Sequence, residues 1–370
     1  MKRTIRVLHL FDSTIGWDQR LALEQLLARL PAERYEQRLV SLGSLSGEAA
    51  RIDAPVRVVP RRLGWDVLFA PALRQLVRHL EADIVHTWSR RATGVAVSTG
   101  QVRVPIVASV FDSALADAYA KRFRAGGRAA SIAAICATEL VRRRLVERGV
   151  HPDDAVLVRP GLDFATINRT AKSDLRARLG LGREMAVMLA SQPATRGGGQ
   201  FSAFWATAVR SFLEPNACLV LPGCSREVSR LRRLAGALQQ PEVLILPGDG
   251  YRYEELIAVA DAMLLPAVTE TSVTAIAWAM AAGVPIIASV TRATTELLTH
   301  NHNAFLIKPD APRRLAMRFA DAIGKRRQWS KQTEIARCQA YDMFSLHRCI
   351  AQTQRVYENV LDARPLSDGI

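Results

Sequence analysis

The chain has 370 residues, 49% of them hydrophobic, and a formal net charge of +15 from 50 basic and 35 acidic side chains. That length exceeds what one hydrophobic core usually organises, so two domains are expected, and the composition excludes a disordered or low-complexity chain. The longest apolar stretches are strand length, far short of the roughly 20 residues a membrane span requires.

The opening MKRTIRVLHLF is basic then apolar, but the apolar run is too short for a secretory leader and no small-residue cleavage site follows, so a cytoplasmic protein is expected. Strand-like runs then alternate with helical patterns: TIRVLHLF, DQRLALEQLLARL with apolar residues three and four apart, EQRLVSLG and VRVVP. WDVLFAPALRQLVRHL reads as a helix, ADIVHTW and VPIVASVF as strands, and IAAICAT as a short buried strand before the helix ELVRRRLVERG. This β-α-β order predicts a parallel sheet covered on both faces. Pro160-Gly161 breaks the chain, and residues 165–182 read as a connection between a first domain, 1–168, and a second, 180–340. The second half restarts the pattern with EMAVMLAS, GGQFSAFWATAVRSFL, ACLVLPG, REVSRLRRLAGAL, EVLILPG, YEELIAVA, AMLLPA, a helix through Met280, VPIIAS and AFLIKP. Two doubly wound α/β domains in tandem are predicted.

Several chemistries find no support. Five cysteines, at 136, 218, 224, 338 and 349, show no C-x-x-C pair or metal-ligand spacing, which suits buried thiols in a reducing compartment. Neither half has a G-x-G-x-x-G turn, and no G-x-x-x-x-G-K-[ST] phosphate loop or Asp-x-Asp metal motif occurs, so neither a cofactor nor a metal is expected. A basic cluster runs from Lys121 to Arg148, with Arg122, Arg124, Arg128, Arg142, Arg143 and Arg144 between. It predicts contact with anionic surfaces, peripherally at a membrane, or else a solvated helix face. Without interleaved aromatic residues it does not predict nucleic-acid binding.

Two such halves, closing with SLHRCIAQTQRVYENVL at about 345–362 as a helix able to return to the first domain, resemble the GT-B glycosyltransferases, two Rossmann-like domains facing a cleft. The second half resembles glycosyltransferase family 4, retaining enzymes that use nucleotide sugars, through LILPGDGYRYEELIAVADAMLLPA and AMAAGVPIIAS; DIVHTWS and VRPGLDF match earlier landmarks. The resemblance puts Glu270 at the first glutamate of the family's E-x7-E motif, facing the donor sugar, and Trp278 at the second. That second glutamate accepts hydrogen bonds from the ribose hydroxyls, which an indole cannot do. Thr271, Ser272 and Val273 open the following helix, where free N–H groups and the helix dipole suit a diphosphate.

Further positions follow the same resemblance. Arg196 before Gly197 takes the place of the family's clamp lysine, keeping the charge with a different reach, while its clamp arginine falls on Ser191. Gly16 keeps one of two glycines before the first helix, and Trp17 replaces the other. Phe111 replaces a histidine, and His86 matches the histidine of the fourth strand, implying either a role towards the acceptor or a satisfied core residue. Gly223, Gly248 and Tyr251 fall where loops border the nucleotide base, and Glu296 matches a glutamate one turn after the VPIIAS strand. The activity implied is transfer of a sugar from a nucleotide sugar to a carbohydrate or lipid-linked acceptor with retention, as in polysaccharide biosynthesis. The alternative is a catalytically silent homologue binding a glycan, nucleotide or protein, motivated by Trp17, Phe111, Ser191 and Trp278 at donor-site places.

Overall fold

The computed structural model describes residues 3–60, 69–98, 104–125, 131–169, 172–190, 199–213, 216–222, 226–247, 250–266, 272–308, 311, 313–318 and 326–362. The chain forms two units, Met1–Gly161 with Leu346–Ile370, and Leu162–Ser345.

In the first unit seven strands pair in parallel in the order β3-β2-β1-β4-β5-β6-β7. They are β1 Ile5–Phe11, β2 Tyr35–Leu42, β3 Val56–Val59, β4 Ile84–Thr87, β5 Ile106–Val110, β6 Ile132–Cys136 and β7 Ala155–Leu157. Side chains alternate between the faces, so both must be covered. Leu8, Leu10, Val85 and Ala108 meet the helices Phe69–His79, Arg90–Ser98, Ala116–Ala125 and Glu139–Glu147. Val7, Phe11, Ile84 and Val107 meet Leu23 and Leu26 of the helix Trp17–Arg29, together with Ile350, Val356 and Val360 of the helix Leu346–Asp362. The last described helix thus completes the first core.

That second face also carries a buried histidine pair whose ring nitrogens all have partners. His9 and His86 are aligned on β1 and β4 and neither is exposed to solvent. Trp88 Nε1 donates to His9 Nδ1 (3.1 Å), which leaves His9 Nε2–H to donate to Gln37 Oε1 at 3.1 Å. His86 bonds Tyr357 Oη through Nδ1 (2.7 Å) and Ser109 Oγ through Nε2 (2.8 Å). Tyr357 therefore pins the returning helix to the sheet, and Arg34 pairs with Glu358 at its rim. Gly161 marks a close approach, since a Cβ there would stand 2.9 Å from Leu346 Cα and 2.7 Å from its Cδ1.

The second unit has six parallel strands in the order β10-β9-β8-β11-β12-β13. They are β8 Ala186–Ala190, β9 Ala217–Val220, β10 Leu244–Ile245, β11 Ala262–Leu265, β12 Ile286–Ser289 and β13 Phe305–Ile307. Met188, Leu219, Leu264 and Ile287 form one core with the helices Gln200–Leu213 and Arg226–Ala237. The helix Val273–Ala281 is buried at every residue and touches the helices Tyr253–Val259 and Arg326–Met343.

The connection expected at 165–182 is built differently. Phe164–Arg169 and Lys172–Arg178 are helices of the second unit, and the chain changes unit between Gly161 and Leu162. Arg176 reaches the Val259 carbonyl and pairs with Asp261 at 3.3 Å, while Asp261 accepts the Val187 amide at 2.9 Å. Arg176 thus ties the helix Lys172–Arg178 to the residues around the start of β11 rather than spanning a gap. Among the described residues no helix is long and apolar enough to cross a membrane.

Burial pushes His9 down to about 4, and burial with the nearby His9 holds His86 well below the ordinary histidine range. Unfolded imidazoles take up protons near their ordinary 6.5 while the folded ones resist. Stability present above that pH is therefore lost as pH falls through it towards about 4, at up to ~1.4 kcal/mol per pH unit for each histidine. Urea midpoints measured between about pH 7 and 4 should fall steeply, and His9→Gln should flatten the slope. Gly161→Ala should lower stability by about 1–3 kcal/mol, because backbone rather than a flexible side-chain end stands in the way; an unchanged melting temperature would refute the close approach.

Candidate functional site

In a parallel sheet with right-handed crossovers every loop that follows a strand emerges at the same edge. Ligands gather where the strand order reverses, beside the carboxyl ends of two neighbouring strands. In the second unit that place lies between β8 and β11. The segments following them, 191–198 and 267–271, lie outside the described residues, and with them Arg196, Gly197, Glu270 and Thr271; Gly223 and Gly248 are outside as well. What the structure does describe at this edge is Ser272, Val273, Tyr251 and Glu296.

Ser272 is the N-cap of Val273–Ala281, its Oγ accepting the Ala275 amide at 3.3 Å. Sequence already signals this, a serine standing just before an apolar run. The cap takes up one first-turn amide and leaves those of Val273 and Thr274 outside it, at the positive end of the helix dipole. Since Ser272 caps the helix, the cap does not call for Glu270.

Trp278 is buried, at 4% exposure, yet its Nε1–H has no hydrogen-bond partner, and the same holds for the buried Thr274 Oγ1 and Ser289 Oγ. Thr274 and Trp278 are four apart on one helix face, and a helical side chain leans back over the preceding turn. Each buried group left unmade costs about 1–3 kcal/mol, so folding by itself gives no reason to keep three of them. Such groups mark places where water or a ligand completes the bonding.

Glu296 is half-buried on the four-residue helix Thr294–Leu297 that follows β12. Thr294 fixes that turn, its Oγ1 donating to the Ser289 carbonyl at 2.7 Å and its amide donating to Thr291 Oγ1 at 3.1 Å. Tyr251 donates its hydroxyl to the Arg178 carbonyl at 2.9 Å, and the Arg178 guanidinium lies 5.0 Å from its ring centroid. A fixed aromatic ring at the edge results, anchored to the helix Lys172–Arg178. Tyr253, which sequence reading passed over, donates to the carbonyl of Ala190, the last residue of β8, at 3.0 Å. It ties the helix Tyr253–Val259 to the strand end beside the order reversal. Its only signal in the sequence is an aromatic residue with a polar tip at the start of a buried helix.

In the first unit the order reverses between β1 and β4. Gly16 is the N-cap of Trp17–Arg29, its amide bonded to Gln19 Oε1 at 2.8 Å. Trp17 is turned inward, at 3% exposure, so it does not obstruct the glycine beside it. Phe111 packs partly buried against the core. The turn before Gly16 hangs on Asp12, fully buried, whose Oδ1 accepts the Thr14 amide (3.0 Å) and hydroxyl (2.6 Å), with Arg91 3.9 Å from Oδ2. An aspartate two residues before a threonine after a strand is the signal that would have found it. His86 does not join these groups: it is inside β4, fully buried, with both nitrogens engaged, the arrangement of a satisfied core histidine with no nitrogen left for an acceptor.

The model of Glycosyltransferase Family 4 matches residues 22–166, and that of Glycosyl transferases group 1 matches residues 203–337. No curated protein sequence matches the chain. Among solved structures it is similar to HepE (Alr3699) of Anabaena in complex with UDP-glucose, with a TM-score of 0.80 at 18% identity over 96% of this chain and 100% of that one. It is also similar to a glycosyltransferase from Rickettsia africae, with a TM-score of 0.75 at 15% identity over 98% and 100% of the two chains. Sucrose-phosphate synthase from Thermosynechococcus elongatus gives 0.74 at 15% identity over 97% and 100%. With both halves of its length matched in order and the two-unit fold shared, the chain belongs to the group 1, family 4 glycosyltransferases of GT-B fold.

Proposed function

We propose that the protein transfers a hexose from a nucleotide sugar to a carbohydrate or lipid-linked acceptor, with retention of configuration, on the cytoplasmic side of the cell. The observation that carries this reading is the first turn of Val273–Ala281: amides not taken by the Ser272 cap, at the strand-order reversal, suited to a diphosphate. The family resemblance assigns Arg196 to the clamp cation of the same leaving group and Glu270 to the donor sugar, and Tyr251 offers an anchored ring for the base. Charge developing on the departing diphosphate is met by dipoles already in place. The diphosphate oxygen itself takes the proton of the incoming hydroxyl on the face it leaves, so no carboxylate nucleophile is needed. The UDP-glucose held by Anabaena HepE makes UDP-hexoses the first donors to try.

Trp278 shapes the second reading, a homologue that binds nucleotide sugar without turning it over. Where the family has an acceptor-only carboxylate, this chain has a buried indole donor. Its N–H then meets a ligand oxygen, and the ribose is held with reversed polarity.

Calorimetric titration with UDP, GDP and their hexoses should show binding to at least one, and Arg196→Ala should weaken it about tenfold or more at unchanged melting temperature. Silence across the panel would sink both readings, and binding without sugar transfer to any acceptor would select the second. Trp278→Phe keeps the ring and deletes only the unpaired N–H, so stability should stay within about 1 kcal/mol while nucleotide affinity drops about three- to tenfold. Trp278→Glu should lose several kcal/mol, since the charge would have to be buried. A phenylalanine variant with unchanged affinity would show that the indole serves packing alone.

A further inference from the structure

The helix Gln200–Leu213 packs Ala203, Phe204, Ala206 and Ala208 onto the second sheet, yet its outer side is apolar too. Phe201, Trp205, Val209, Phe212 and Leu213 are exposed, Phe212 to 79% and Leu213 to 71%. They recur at helical spacing on one stripe, and every exposed residue of this helix belongs to it. Thr207 and Arg210, which could have faced water, are buried. Single exposed apolar residues are ordinary, but a contiguous row marks a surface that something covers.

The surroundings of the stripe indicate what. Arg226–Ala237 packs Val228, Leu231 and Ala235 into the same core, and the segment 313–318 packs Leu315 there, so all three lie on one face of the sheet. Gln200–Leu213 joins β8 to β9 and Arg226–Ala237 joins β9 to β10, neighbouring crossovers that both touch the turn Pro241–Val243. These flanks expose basic residues: Arg232 and Arg233, with Arg230 paired to Glu227, on one side, and Arg313 and Arg314 beside the exposed Met317 on the other. An apolar stripe lying in the plane of a face, between guanidinium groups, matches the chemistry of a bilayer with anionic headgroups. A second copy of this chain fits worse, because a two-fold contact would set these arginines against their own copies on a chain already carrying +15.

We propose that the Gln200–Leu213 face of the second unit docks the protein on an anionic membrane surface, the aromatic stripe entering the headgroup boundary and the flanking arginines pairing with lipid phosphates. This does not depend on the activity proposed above. It also differs from the basic cluster between Lys121 and Arg148. There Arg142 and Arg143 pair with Glu139 and Arg148 with Asp117, and none of the large exposed apolar residues falls within that span among the described residues.

The test floats the full chain with vesicles of phosphatidylcholine alone, or with about one-third phosphatidylglycerol, and follows tryptophan quenching by brominated acyl chains. Trp17, Trp88, Trp278 and Trp329 are buried and Trp65 lies outside the described residues, so only the quenching that is lost in Trp205→Phe reports the stripe. Binding is expected with the anionic vesicles alone, weakened about tenfold for each aromatic side chain removed in Phe201→Ser and Phe212→Ser. Arg232→Glu with Arg233→Glu should lower it and flatten its salt dependence. All five replaced side chains are exposed, so melting temperatures should not move. Binding unaffected by the stripe variants, or lost only in Lys121→Glu with Arg124→Glu, overturns the proposal. So does a self-association broken by Phe212→Ser in a protein that ignores vesicles, which would assign the face to a second copy.

Discussion

The constraint on which the rest depends is that a parallel sheet must be covered on both faces, because its strands are apolar on both. Crossover helices satisfy this, and in doing so they bring every post-strand loop to one edge. Ser272, Tyr251 and Glu296, spread over 45 residues of sequence, reach the same edge of the second unit for that reason alone. The first unit cannot meet the constraint from its own first 161 residues: part of one face is left to Leu346–Asp362, supplied after the whole second unit has been made. Two crossings of the chain are the consequence, and Leu162 donates to the Phe344 carbonyl where they run side by side.

Covering a face exposes the polar residues on it to a dry interior, where each needs a partner. The first unit meets that need fully around its histidine pair, with Gln37, Trp88, Ser109 and Tyr357 arranged so that both imidazoles stay neutral. Around Val273–Ala281 the need is not met, since Thr274, Trp278 and Ser289 keep unused polar atoms. The contrast separates two kinds of buried polarity in one chain. The histidine pair holds the fold, whereas Thr274, Trp278 and Ser289 keep unused atoms at the helix on which the proposed donor site is built; buried unsatisfied atoms also occur away from it, as at Tyr35 Oη and Gln240 Oε1.

The outer surfaces of neighbouring helices differ as sharply. Gln200–Leu213 and Arg226–Ala237 bury comparable apolar faces on the same sheet, yet one turns aromatic and aliphatic residues to solvent and the other arginines. Packing on the sheet explains the inner sides and is silent on the outer ones. The chemistry of the outer layer is therefore set by what the protein meets rather than by how it folds.

Much of the architecture was legible in the sequence because it is carried by neighbours along the chain. Strands appeared as short apolar runs, helices as three-and-four spacing, and the cap at Ser272 as a hydroxyl before an apolar helix. The family landmarks around 243–310 identified the second half through motifs of the same local kind. The junction was misplaced because Pro160-Gly161 and the polar run after it look like a linker, whereas Arg176 makes its ion pair with Asp261, 85 positions away. His86 offered two readings in sequence, and its fate rests on Ser109 and Tyr357, 23 and 271 residues distant. Gln200–Leu213 shows only a helix in sequence; the tertiary structure decides that one side packs on the sheet while Phe201, Trp205, Val209, Phe212 and Leu213 stay exposed. Local preference is fixed by adjacent residues, but burial and partnership belong to contacts between distant ones, and those exist only once both sheets have formed.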